Sequence, residues 1–75
     1  MQTLKDQFDA QFTVTRMSHN SLVLRENKTG ETCYIHRNAY NAILNGAAVD
    51  LRIVEGDEGM LGGFRWVEVL VWKRL

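Results

Sequence analysis

The stretches Phe12-Thr13-Val14-Thr15, Ser21-Leu22-Val23-Leu24 and Thr32-Cys33-Tyr34-Ile35-His36 follow one another along the chain, and each sets an apolar residue at every second position. Leu22 and Leu24 fall on one side of an extended backbone, with Ser21 and Val23 on the other; Cys33 and Ile35 oppose Thr32, Tyr34 and His36. A period of two belongs to a strand with one buried face, so three successive strands are predicted. The links between them are short. Ser18-His19-Asn20 is a polar turn, and Asn27-Lys28-Thr29-Gly30 closes on a Gly, which enters the left-handed backbone region without a Cβ clash. Tight links join neighbours antiparallel, which makes the three strands a meander.

Upstream, Thr3-Leu4-Lys5-Asp6 reads as a helix start, with the Thr hydroxyl able to accept a first-turn amide proton and Asp6 in the reciprocal place of a capping box. A short helix over 3–10 follows, with Leu4 and Phe8 on one face, and two turns persist only when docked. Downstream, Asn38 is placed to cap a second helix of about two turns, Tyr40, Ile43 and Leu44 share its apolar face, and Gly46 offers a left-handed stop. Val49, Leu51 and Ile53 resume the alternation against Asp50 and Arg52. Gly56 to Gly63 is a loop holding four of the six glycines, and Phe64 to Arg74 is a long last strand that completes a C-terminal β-hairpin.

The predicted fold is α+β and mostly β, a single domain over 1–75. Its order is a short N-terminal helix, a three-stranded antiparallel meander, a short helix and a hairpin. This connectivity resembles that of small five-stranded barrels of the oligonucleotide/oligosaccharide-binding (OB) type. An OB-like or SH3-like barrel and an open curled sheet with helices on one face are the forms it allows.

Composition narrows the function. A chain of 75 residues buries only about 60% of its unfolded surface, so a deep substrate cavity is costly. Nine basic and nine acidic side chains give a formal charge of zero, which argues against strong, sequence-blind affinity for polyphosphate. One Cys forms no internal disulfide and suits a reducing compartment. The longest apolar run, Val69 to Trp72, is far too short to span a bilayer, and Lys5, Asp6 and Asp9 do not read as a secretory leader. A cytoplasmic location without membrane attachment is expected.

Chemistry finds few footholds. Cys33 and His36 are three apart, so in a strand they point to opposite faces and do not form a dyad. His19, His36, Arg37 and Tyr40 are residue types of a metal-free ribonuclease, a distant third reading that their spacing does nothing to assemble. Asp57 and Glu58 lack the alternate oxygen ligands of a calcium loop, and zinc would need more than one Cys. No metal, cofactor or catalytic activity is expected.

Two features stand out. The last strand is apolar on both faces, with Val67, Val69 and Val71 on one and Phe64, Trp66, Leu70 and Trp72 on the other, and two short helices cover only one side of a sheet. Met60 and Leu61 stand at the tip of the Gly-rich loop, where apolar side chains suit a partner. The leading expectation is therefore a non-enzymatic protein acting stoichiometrically, by docking on a protein partner or on itself as a homo-oligomer. Met60, Leu61, Trp66 and Trp72 are its expected anchors, and Arg65 and Arg74 its rim charges. This is a common format for accessory regulators and inhibitors, including those encoded by phages and mobile elements. The alternative is an OB-like single-stranded nucleic-acid binder using Arg25, Tyr34, His36 and Arg52, with Trp66 alongside. Against that reading, Glu26, Glu31, Asp50, Asp57, Glu58 and Glu68 are interspersed in the same region, so weak and salt-sensitive binding is expected.

Overall fold

The computed structural model describes residues 3–55 and 65–71. Helix α1 (Leu4–Gln11) leads into β1 (Phe12–Met17), β2 (Ser21–Glu26) and β3 (Thr32–His36), then α2 (Arg37–Leu44), β4 (Ala48–Glu55) and β5 (Arg65–Val71). Thr3 caps α1 as its sequence predicts: Asp6 N donates to Thr3 Oγ1 at 3.1 Å, and Thr3 N donates to Asp6 Oδ2 at 3.2 Å. Gly30 closes the second turn at φ +77° and Gly46 ends α2 at φ +81°, both in the left-handed region.

Helix α2 starts earlier than the Asn38 cap implied. His36 is its N-cap and makes no side-chain capping hydrogen bond. The reason lies in Arg37, whose backbone N–H donates to Asn20 O at 2.8 Å and whose guanidinium donates to Ser18 O and His19 O at 2.8 and 3.1 Å. These bonds tie the first helical residue to the turn between β1 and β2, so the chain enters the helix straight from the strand end.

The five strands form one mixed sheet in the order β1-β2-β3-β5-β4. The meander pairs antiparallel, with Leu22 opposite Ile35 and Leu24 opposite Cys33. The hairpin folds back so that β5 lies between β3 and β4, antiparallel to β4 and parallel to β3. Among the described residues β1 and β4 remain the two edges and the sheet does not close. The OB-type likeness therefore holds for the order of elements and not for a barrel. A strand that is apolar on both faces belongs in the interior of a sheet, and β5 is there.

Both helices pack on one face. Phe8 from α1 and Ala42 and Ile43 from α2 meet Phe12, Leu22, Leu24, Cys33, Ile35, Ala48 and Val67 in the core, and no polar residue is fully buried among the described ones. The rings of Phe8 and Phe12 lie 5.3 Å apart and those of Phe8 and Tyr40 5.7 Å apart, which knits the two helices to the sheet. Each fully buried Leu, Ile or Phe contributes about 1.5–3 kcal/mol relative to exposure. No described helix is long and apolar enough to cross a membrane.

Candidate functional site

With the helices on one side, alternation sends Val23, Tyr34, Trp66 and Val54 to the other. They form a row: Val23 pairs with Tyr34, Tyr34 with Trp66, and Trp66 with Val54, across β2, β3, β5 and β4. All four are half-buried, and among the described residues no element covers them. Tyr34 and Trp66 have ring centroids 5.5 Å apart, and the exposed His36, two residues along β3, stacks on Trp66 at 4.4 Å and 21°. Three rings thus stand together on adjacent inner strands. The Trp66 indole N–H lies within this cluster with no hydrogen-bond acceptor among the described residues.

Cations flank the rings. Arg25 follows Val23 on β2 and points the same way, and Arg16 pairs with Val23 from β1. Both are exposed, and neither has a carboxylate partner among the described residues. On the far side Arg52 of β4 donates to Glu68 of β5 at 3.0 Å, in a pair so exposed that it contributes little. Beside that pair is an open hollow of about 320 Å³ lined by Asp50, Arg52, Glu68 and Leu70, and Leu70 itself is 64% exposed.

The acidic residues of the meander lie elsewhere. Glu26 and Glu31 share the parity of Leu24 and Cys33, so they turn to the helix-covered side, as does Glu55. There they converge on Arg65. Its Nη1 contacts Glu26 Oε1 at 3.0 Å and Glu31 Oε2, and its Nε lies 3.5 Å from Glu55. Glu26, only 16% exposed, also accepts from Thr29 Oγ1 at 2.8 Å. The Thr29 hydroxyl first and Arg65 second hold the Glu26 carboxyl below the usual carboxylate range, while Glu26 pushes Arg65 up.

Of the residues expected to anchor a protein partner, Trp66 stands in the ring cluster, Arg65 is engaged on the opposite side, and Met60, Leu61, Trp72 and Arg74 lie outside the described residues. All four residues of the nucleic-acid reading, Arg25, Tyr34, His36 and Arg52, come to the one helix-free face. The ribonuclease set disperses: Arg37 is taken up by two backbone carbonyls, Tyr40 packs against Phe8 within the helix layer, and His36 is on the other side of the sheet. Cys33 is fully buried in the core, where burial raises its thiol pKa. No group of three His, Cys, Asp or Glu among the described residues could hold a metal ion.

Sequence reasoning missed Arg16. Simple alternation from Phe12 and Val14 would turn it toward the helices, but the ladder shifts register between Val14 and Arg16 and brings it to the open face. Such a bulge has no marker in Thr13-Val14-Thr15-Arg16. No family model, no curated protein and no solved structure matches this chain.

Proposed function

We propose that this domain is a non-catalytic binder of single-stranded nucleic acid, working stoichiometrically through the helix-free face of its sheet. One observation carries the reading. A cluster of three aromatic rings on the inner strands is bordered by two arginines that lack acidic partners among the described residues, while strand parity turns three nearby carboxylates to the opposite side, where Arg65 pairs with them. The interspersed acids that weigh against the idea in the linear chain are thus partly sorted by face. Asp50 and Glu68 remain near the site, so the positive excess is small. Rings on a sheet accept bases by stacking, worth about 1–3 kcal/mol per base, and arginines at their border reach the backbone phosphates. Barrels with the same order of elements bind oligonucleotides over their second and third strands, an analogy of connectivity.

The test is fluorescence anisotropy of a labelled 12-nucleotide oligo-dT or oligo-rU at low salt. Saturable binding that Tyr34→Ala and Arg25→Ala each reduce at least tenfold, with duplex DNA bound less well, is the expected result. No anisotropy change at high micromolar protein overturns it.

A docking surface for protein is the second reading, favoured by Leu70, an exposed apolar side chain on the same face, four residues along β5 from Trp66. Light scattering separates the two. Self-docking gives a molar mass that rises with concentration without oligonucleotide and returns to that of a monomer in Trp66→Ala.

A further inference from the structure

We propose that His36 is the surface on which a base lands: the outer face of its imidazole takes the base, and Trp66 lies beneath as the backing ring. The inference rests on the nucleic-acid reading and deepens it by naming which of the three rings meets the ligand.

The place of residue 36 in the fold does not call for a histidine. His36 ends β3 and is the N-cap of α2, yet its ring makes no capping hydrogen bond. A cap is best served by Ser, Thr, Asn or Asp, whose short side chains reach the first-turn amides. Here the next residue, Arg37, secures the entry to the helix through the carbonyls of Ser18, His19 and Asn20. The imidazole takes no part in the helix start and lies on the open face instead, stacked on Trp66 at 4.4 Å and 21°.

The stack has an inside and an outside. Trp66 is half-buried, with the Tyr34 ring 5.5 Å away and its indole nitrogen shielded, whereas His36 is exposed. A base arriving from solvent therefore meets the imidazole before the indole. To reach the indole it would have to displace His36 from a nearly parallel contact, replacing one stacked ring by another. Landing on His36 adds a ring to the stack and keeps the contact already made. A ring backed by a second ring is also held in one orientation, which lowers the entropy lost on docking.

Charge favours the same ring. An imidazole gains a proton between about pH 8 and 5, and a cation held between two π-faces is attracted to both. Tyr34 on β3, Glu68 on β5, Arg52 and Asp50 on β4, Arg25 on β2 and Arg16 on β1 share its face. Glu68 is engaged by Arg52 at 3.0 Å, Asp50 Oδ1 accepts from Leu51 N at 2.8 Å, and Arg37 of α2 is held at the turn between β1 and β2. The phosphates of a bound strand favour the protonated ring, so affinity rises as pH falls.

The experiment is anisotropy of labelled oligo-dT with two variants. His36→Ala should weaken binding about tenfold, the loss of one stacked base, while His36→Phe, which keeps a ring, stays within about threefold at about pH 8. From about pH 8 to 5 the unmodified protein should gain about two- to fivefold in affinity, as for an exposed cation–π contact, and His36→Phe should not. Nuclear Overhauser contacts between His36 and Trp66 should persist in the saturated complex. Binding by His36→Ala as tight as that of the unmodified protein, a pH profile shared by His36→Phe, or loss of the His36–Trp66 contacts on saturation overturns the proposal and leaves the nucleic-acid reading standing. Should His36→Ala fail to fold, the Overhauser contacts of the unmodified protein decide. No anisotropy change in the unmodified protein removes that reading and this inference with it.

Discussion

Leu24 and Ile35 are fully buried on neighbouring strands, and Arg25 and Tyr34, one residue along from each, face the other way. The two sides of β2 and β3 therefore separate folding from binding at the level of single residues. Leu24→Ala should cost about 2–5 kcal/mol in urea unfolding, through lost transfer energy and the cavity left behind. Arg25→Ala should leave the urea midpoint nearly unchanged and still weaken oligonucleotide binding. Arg52 makes an instructive contrast, because its guanidinium is already paired with Glu68. Binding should suffer less from Arg52→Ala than from Arg25→Ala, and equal losses in an anisotropy titration would show that the pair opens to meet the ligand.

Elements were legible in the chain to the extent that their signals are local. The alternation in β2 and β3, the Thr3–Asp6 capping box and the left-handed glycines all depend on residues within a few positions of one another, and each forms as read. Gly30 tests the last of these. Nothing lies within 4 Å of a Cβ built there, so Gly30→Ala should lower stability by backbone strain alone, about 1–2 kcal/mol, seen as a lower Tm. Non-local choices were not legible. The placement of β5 between β3 and β4 depends on the whole sheet, and the bulge that turns Arg16 outward comes from pairing with Val23 rather than from any residue within β1. Arg37 displaced the expected Asn38 cap by bonding to carbonyls of a distant turn. In the candidate site, residue types and parity placed Tyr34, His36, Arg25 and Arg52 on one face. The gathering of Glu26, Glu31 and Glu55 around Arg65 needed the three-dimensional register.

At the scale of the whole molecule, a formal charge of zero conceals an uneven distribution. Among the described residues three arginines and two acids, Asp50 and Glu68, share the helix-free face, while the end of the other face holds three glutamates around one arginine. Binding through two or three phosphate contacts on the first of these should give log Kd a slope against log salt of about 1.4 to 2.1, far below that of a dedicated polycation. A slope near zero in an anisotropy series at varied salt would assign the affinity to the rings alone.

The single thiol, Cys33, is sealed between the helices and the middle of the sheet, and burial pushes its ionisation up. A sulfhydryl reagent can reach it only when the strands part from their helical cover. The chain therefore carries its own clock for opening: the rate at which Cys33 is alkylated at neutral pH, compared with that of a free thiol peptide, measures how often the interior is breached.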